Sequence, residues 1–462
     1  MVIDILETEA AIRRLVADGR VAEAAALLAD AQPADGAEAL WDVPADTLAA
    51  VLAAMPPAGA ARLVGYFDPA RQLELARTLP RAAMQKLFAA MPHDERADLW
   101  KALPEDARDA LLPGLAAAER EDIRRLASYA EGTAGSIMTS DYVTLLPTLG
   151  AAAALDVLRR EAPDRETIYD CYVIDDDRRL LGVVSLRDIL LAPAGARIAD
   201  IMTRDVVFAR ADDPREAVAE QIADYDLLAI PVVDPDDRLV GIVTVDDALD
   251  VAEAALARRL TRFGGSSAPE GVELDLMGSG LATLYRGRVV WLALLAVVGI
   301  VTSTLVAAQS ALLEQVIVLA AFITPIIAMG GNTGSQSATL VIRAMALGQV
   351  DSIWRDVLRV LARDLPVAIA LGLTVAGIVV GLSWLTKGGL MPEVLMAVGL
   401  SMVAVTVAGS LFGVLIPFLA RAAKVDPATL SAPLITSMMD LVGVLIYFGI
   451  ASALLAEKLA AA

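Results

Sequence analysis

Five stretches in the second half of the chain, 289–313, 315–342, 365–386, 394–420 and 427–456, carry no formal charge apart from Asp440 in the last. Each is longer than the roughly 20 residues that an α-helix needs to cross the hydrocarbon of a bilayer. A chain with five such runs must place them in lipid, so an all-α, five-helix transmembrane domain is expected over 286–462. The basic residues between the runs alternate in side. Arg286 and Arg288 precede the first run, Arg343, Arg355, Arg359 and Arg363 follow the second, and Arg421 and Lys424 follow the fourth, whereas the opposite side has only Lys387 and Lys458. The excess of positive charge on the cytoplasmic side then puts the N-terminal part in the cytoplasm and the C-terminus outside, as expected of a multi-pass protein of the cytoplasmic membrane. The first residues, MVIDILETEAAIRRLVADGR, agree with this: acids stand where a signal peptide has bases, and no apolar core follows.

Charge divides the chain the same way. Residues 1–285 carry a net −22 and residues 286–462 a net +2. An acidic, water-exposed half repels nucleic acid and anionic lipid and concentrates cations. With one cysteine, Cys171, and one histidine, His93, neither a disulfide nor a Cys/His zinc site can form within the chain, so any metal chemistry uses oxygen ligands.

A carboxylate at the centre of a spanning helix costs roughly 2.5–3.5 kcal/mol to insert. No Lys or Arg lies within the five runs to pair with Asp440. Its charge is therefore matched by a proton or by a transported cation. The second run contains TPIIAMGGNTGSQSATL, where Pro325 and three glycines interrupt the apolar pattern beside Asn332, Thr333, Ser335 and Gln336. An interrupted helix with polar side chains is expected to line a water-filled path, while glycines that bring two helices close together are the other reading.

Upstream, prolines recur at 33, 44, 56, 69, 80, 92 and 104, each followed by a short amphipathic run such as HDERADLWKAL. The pattern predicts a superhelical domain of short helices over 1–130, each started by proline near its first turn. Residues 134–250 hold a second repeat. SIMTSDYVTL and DIMTRDVVFA open two units, CYVIDDDRRLLGVVSLRD and IPVVDPDDRLVGIVTVDD close them, and the first unit has five extra residues around APDRETI. Each unit reads as a helix, an apolar strand, a polar turn, a second strand and a helix opening at Asp188 or Asp247. The pattern resembles a tandem pair of cystathionine-β-synthase-type (CBS) modules, placed at 134–192 and 198–250, with a linking helix and connection over 251–285. In that family the two modules pack sheet to sheet and leave two clefts, where adenine nucleotides often bind. By that resemblance Asp188, with Tyr169, is the candidate nucleotide contact; simple N-capping by Ser185 and Thr244 is the alternative.

SAPLITSMMDLVGVLIYF and MGGNTGSQSATLVIRAMALG, taken with the upstream repeats, resemble the MgtE magnesium channel family along the whole chain. The fold implied is a multidomain α plus α/β cytoplasmic region followed by the five-helix membrane domain. The resemblance implies a homodimer with its pore on the twofold axis and no enzymatic activity. Mg²⁺ gives up water reluctantly and keeps several waters when bound. Paired Asp440 carboxylates are expected to neutralise the hydrated ion, with Asn332 and the carbonyls of Gly330 and Gly331 hydrogen-bonding to its waters and Gly443 keeping the wall clear.

The resemblance also implies regulation, in which cytoplasmic Mg²⁺ bridges carboxylates and holds the pore shut. Asp226, Asp247 and Asp250 match acidic positions of the family, Asp213, Glu216 and Asp246 lie near them, and Asp94 and Glu95 are the contributors expected from the helical domain. The stretch VAEAALARRLTRFGG departs from the pattern, having one acid, Glu253, and three arginines, Arg258, Arg259 and Arg262. These arginines are expected to pair with CBS aspartates and weaken the dependence on Mg²⁺. Two other readings stay open on the residues alone: transport of another divalent cation such as Co²⁺ or Mn²⁺, and a membrane-anchored metal or nucleotide sensor that conducts nothing.

Overall fold

Proline has no amide hydrogen and a fixed φ, so in a short helix it is best accommodated in the first turn. A computed structural model, describing residues 5–111, 115–162, 165–193, 195–266, 274, 276, 279–350, 354–387, 390–427 and 432–459, puts the recurrent prolines in that place. After α1 (Ile5–Ala17) and α2 (Val21–Asp30), Pro33 is the first residue of α3 (Pro33–Leu40), Pro44 caps α4 (Ala45–Ala54), and Pro56 caps α5 (Pro57–Gly65). Pro69 opens α6 (Pro69–Thr78), Pro80 caps α7 (Arg81–Ala90), Pro92 caps α8 (His93–Ala102), and Pro104 precedes α9 (Glu105–Leu111). Each helix packs on the one two places further along. Two rows of short helices result, closed by α10 (Ala117–Ala127) and sharing a core of Ile12, Leu40, Leu63 and Phe88.

The helical domain and the following repeat belong to one compact unit, Met1–Glu253; Ala254–Ala462 form the second. Each repeat carries a three-stranded sheet. In the first, β1 (Thr144–Leu145) runs parallel to β2 (Asp170–Ile174), which pairs antiparallel with β3 (Leu180–Ser185); β4 (Ala209–Arg210), β5 (Ala229–Val233) and β6 (Leu239–Thr244) repeat the order. α11 (Ala151–Glu161) and α14 (Arg215–Asp224) supply the crossovers, and α13 (Ile198–Ile201) leads into the second unit. The polar turns are alike. Asp175 Oδ1 accepts from Asp177 N and Arg179 N at 2.9 and 2.8 Å, Asp234 Oδ1 from Asp236 N and Arg238 N at 2.9 Å.

The repeat motifs interlock crosswise. Thr139, from the opening of the first unit, exchanges backbone hydrogen bonds with Ile242 of the second, and Thr203 does the same with Val183. Gly241 and Gly182 let those segments lie close, because a Cβ on Gly241 would meet the Thr139 carbonyl at 3.0 Å and one on Gly182 the Thr203 carbonyl at 2.8 Å. α12 (Leu186–Leu191) and α15 (Val245–Phe263) begin directly at the strand ends, with Asp188 and Asp247 inside their first turns as the Ser185-x-x-Asp188 and Thr244-x-x-Asp247 steps suggest. The linking helix is no separate element but the continuation of α15.

In the second unit five helices are long and apolar enough to cross a membrane. These are α16 (Leu281–Ala307), α18 (Ala320–Ala346), α19 (Trp354–Lys387), α20 (Pro392–Ala422) and α21 (Ala432–Leu459), with a short α17 (Ser310–Gln315) between the first two. The first uncharged run overstates its helix, since a turn at Ala308 and Gln309 ends α16. The third understates it: α19 starts eleven residues before the run does. The expected interruption of the second run is absent. α18 is one continuous helix through Pro325 and the glycines. Gly330 and Gly334 instead face Gly409 and Gly413 of α20, where a Cβ on either of the latter would strike the carbonyl of Gly330 or Gly334. Small residues spaced four apart on both helices permit this approach of backbones.

Candidate functional site

The acids predicted to regulate the chain divide sharply by position. Asp94 and Glu95 stand in the first turn of α8, Asp246 and Asp247 in the first turn of α15, and both pairs lie in the same compact unit. Burial, followed by the charge of Asp94, pushes Glu95 up to about 8, with Glu166 and Asp246 adding to it. Burial and the charges of Asp94, Asp246 and Glu166 push Asp247 up to about 8, although Thr244 Oγ1 donates to its Oδ2 at 2.8 Å. Asp94 is raised to about 6 and Glu166 to about 7, again by burial first and neighbouring carboxylates next. These groups thus share one electrostatic site between the helical domain and the CBS pair.

Two atoms there have unmet needs. Asp94 Oδ1 and Glu95 Oε2 are buried with no hydrogen-bond partner, a state that costs free energy unless a proton or cation fills it. The Glu95 carboxylate lies on the backbone of Gly65, the last residue of α5; a Cβ there would sit 2.8 Å from Oε2. Among the described residues no three His, Cys, Asp or Glu side chains converge tightly enough to hold a bare ion.

Beside the cluster the single histidine ties the domains together. His93 Nδ1 lies 2.6 Å from Ser140 Oγ and 2.9 Å from Asp122 Oδ2, and Arg125 donates to Asp122 Oδ1 at 2.6 Å. Despite burial, hydrogen bonds from His93, Arg125 and Ser140 hold Asp122 well below the usual carboxylate range.

Other candidates stand apart from the cluster. Asp213 Oδ2 accepts from Arg210 N at 2.7 Å in a local turn, Glu216 lies 3.6 Å from Arg215 Nε, and exposed Asp226 occupies a left-handed turn at φ 52°. Asp250 and Glu253 extend the acidic face of α15 below Asp246, and burial followed by the charges of Asp246 and Glu253 raises Asp250. At the other end of the repeat, Ser185 Oγ donates to Asp188 Oδ2 at 2.6 Å and receives Asp188 N at 3.0 Å. Tyr169 O accepts from Leu186 N at 2.7 Å, which brings the 62% exposed Tyr169 side chain to the same sheet edge.

In the membrane unit α18 and α21 run antiparallel. Gly331 packs on Thr436, Gly330 on Met439 and Gly334 on Ile435, and Ser335 Oγ lies 3.4 Å from Thr436 Oγ1. One turn back along α18 from that contact is Asn332, and one turn forward along α21 is Asp440, so the two polar residues come to the same level. Asn332, Gln336 and Thr339 are exposed on the face of α18 that other spans leave open, and Asp440 is half-buried with no ion-pair partner among the described residues. Gly330 and Gly331 serve packing in this arrangement. Gly443 does too, since its missing Cβ points at Ile327 and Val405 at 3.5 Å.

Two acids escaped the sequence reading. Glu166 sits in the five-residue insertion of the first CBS unit, which was visible as a length difference but not as a source of charge. Asp364 falls just outside the third uncharged run, yet it lies within α19.

Three family models match the chain. A divalent cation transporter model, MgtE, covers 323–450, the MgtE intracellular N domain covers 13–132, and the CBS domain covers 134–195 and 198–254. The magnesium transporter MgtE of Thermus thermophilus is 42% identical over 336 residues, 73% of either chain. That of Enterococcus faecalis is 37% identical over 339 residues, 72% of either chain. Among solved structures, the soluble part of a magnesium transporter is similar at 29% identity and TM-score 0.51, covering 55% of this chain and 100% of that one. The cytosolic domain of the Mg²⁺ channel MgtE in complex with ATP is similar at 38% identity and TM-score 0.50, covering 53% and 99%.

Proposed function

The chain belongs to the MgtE family of magnesium transporters, and on that premise we propose that two copies form a Mg²⁺ channel whose ion path is lined by Asp440 and Asn332 on the twofold axis. The observation that carries the proposal is the common level of these two residues beside the Ser335–Thr436 contact. Exposed amides facing hydrocarbon are costly, whereas a second copy presenting the same face would enclose them around water. A pair of Asp440 carboxylates then neutralises a dication that keeps its inner waters, and Asn332 offers a carbonyl and an amide to those waters.

Regulation follows from the acidic cluster. Asp94, Glu95, Glu166, Asp246 and Asp247 repel one another unless protonated or bridged, so cytoplasmic Mg²⁺ favours the arrangement in which the helical domain and the CBS pair are docked. That arrangement is the closed one. At the opposite edge of the first CBS module, exposed Tyr169 and Asp188 offer a ring face and a ribose acceptor to an adenine nucleotide. Its ATP-bound relative supports this reading. The N-terminal region then lies in the cytoplasm and the C-terminus outside.

A thiol at the pore face tests the dimer. Cys171 is buried, so Asn332→Cys would supply the reactive group in membranes. A short bis-maleimide is expected to cross-link two copies at 332 and not at Val290→Cys, whose site is 70% exposed on α16. Equal or slower reaction at 332 would contradict the shared axis.

A further inference from the structure

The α18 helix is gripped from two sides, and only one grip belongs to the path described above. Facing α21 are Gly331 and Ser335; Gly330 and Gly334 lie against both α20 and α21. Ser337, one turn beyond Gly334, donates its hydroxyl to Asp364 Oδ2 of α19 at 2.7 Å. Ser410 of α20, the neighbour of Gly409, donates to the same oxygen at 2.5 Å. Ser337 is 6% and Ser410 1% exposed. A single carboxylate oxygen thus joins three spans at the level of the glycine crossing. α19 otherwise leans on α20 and barely meets α18.

We propose that Asp364 is a positioning residue for conduction: by taking both serine hydroxyls it fixes the rotation of α18, and so keeps Asn332 on the pore face beside Asp440. The inference rests on the pore reading given above. Successive residues of a helix are about 100° apart, so a small turn of α18 carries Asn332 off that face. The packing glycines cannot prevent such a turn alone, since they bear no side chain that locks one helix against the next. Hydrogen bonds are directional, which suits them to this task. Asp364 contributes its acceptor oxygen and no direct contact with the ion.

The test separates positioning from both ion contact and folding. Initial rates of Mg²⁺ uptake into proteoliposomes, measured across Mg²⁺ concentrations, give KM and maximal rate for wild type, Asp364→Ala, Asp364→Asn and Ser337→Ala, each normalised to monodisperse protein. Asp364→Ala and Ser337→Ala are expected to raise KM at least threefold. Asp364→Asn, whose carbonyl still accepts both hydroxyls, is expected to stay within twofold of wild type. If Asp364→Asn is as impaired as Asp364→Ala, charge and not geometry matters, and the proposal falls. It falls equally if the alanine variants lose only maximal rate at unchanged KM, the mark of fewer folded molecules. Should Asp364→Ala yield no folded protein, Ser337→Ala decides by the same criterion. A wild type that moves no Mg²⁺ would overturn the pore reading itself, and this inference with it.

Discussion

Arg262 Nη1 lies 3.1 Å from Asp426 Oδ2, joining the end of α15 to the connection between α20 and α21. The sequence suggested that the arginines of this helix pair with CBS aspartates; Arg262 pairs instead within the membrane unit. Both residues belong to the unit Ala254–Ala462. Their side chains are 43% and 36% exposed, so the pair contributes up to about 1 kcal/mol, a factor of about five in an equilibrium.

Breaking that pair should therefore tune the gate and not abolish it. Arg262→Ala is expected to raise the internal Mg²⁺ concentration that half-closes the channel by about two- to fivefold. Current recordings from excised patches over a series of internal Mg²⁺ concentrations check this. An unchanged midpoint would remove Arg262 from the gating equilibrium.

Under the proposed regulation, protons and Mg²⁺ compete for the acidic cluster. Glu95 and Asp247 are raised to about 8, Glu166 to about 7 and Asp94 to about 6, in each case chiefly by burial. A raised carboxyl binds more protons when docked than when solvated, so without metal the docked arrangement is most stable below about pH 4 and weakens as pH climbs through 6 to 8. His93 acts in the same direction: despite burial, contact with Asp122 and Asp141 raises it, and its contribution is lost as pH rises through that raised value. Mg²⁺ binding near pH 7 is then expected to release protons, and apparent affinity should increase from pH 6 to pH 8. Calorimetry of the full-length protein in buffers of different ionisation enthalpy measures both.

Gly65 gives a structural handle on the same cluster. A methyl group there would occupy the place of the Glu95 carboxylate, while the helical backbone at 65 tolerates alanine. Gly65→Ala is expected to leave the thermal stability of the protein within about 1 kcal/mol of wild type. The Mg²⁺ concentration that protects the full chain from limited proteolysis should rise severalfold. The same protection midpoint in both proteins would mean that Glu95 takes no part.

Much of this was legible in the residues. Proline spacing announces the two rows of short helices because proline favours helix starts, and the repeated Ile-Met-Thr and Asp-Arg motifs mark the two modules. The two-residue strands β1 and β4 were not visible, being too short to show a period. The glycines of α18 read as an interruption because the partner glycines, Gly409 and Gly413, lie some eighty residues away in sequence and only the fold brings them opposite. Asp440 stood out as a lone charge in an apolar run. Asp364, equally important to the packing, was hidden at the edge of another by the same criterion. Glu166 needed the three-dimensional neighbours Asp94 and Asp246 before its insertion acquired a meaning.

The role proposed for Asp440, the charge that admits a hydrated divalent cation, is decided by uptake of Mg²⁺ into proteoliposomes by wild type and Asp440→Asn. Asparagine keeps the size and the carbonyl but removes the charge, so uptake is expected to fall at least tenfold with the protein still folded and dimeric. Uptake by Asp440→Asn at the wild-type rate would contradict it.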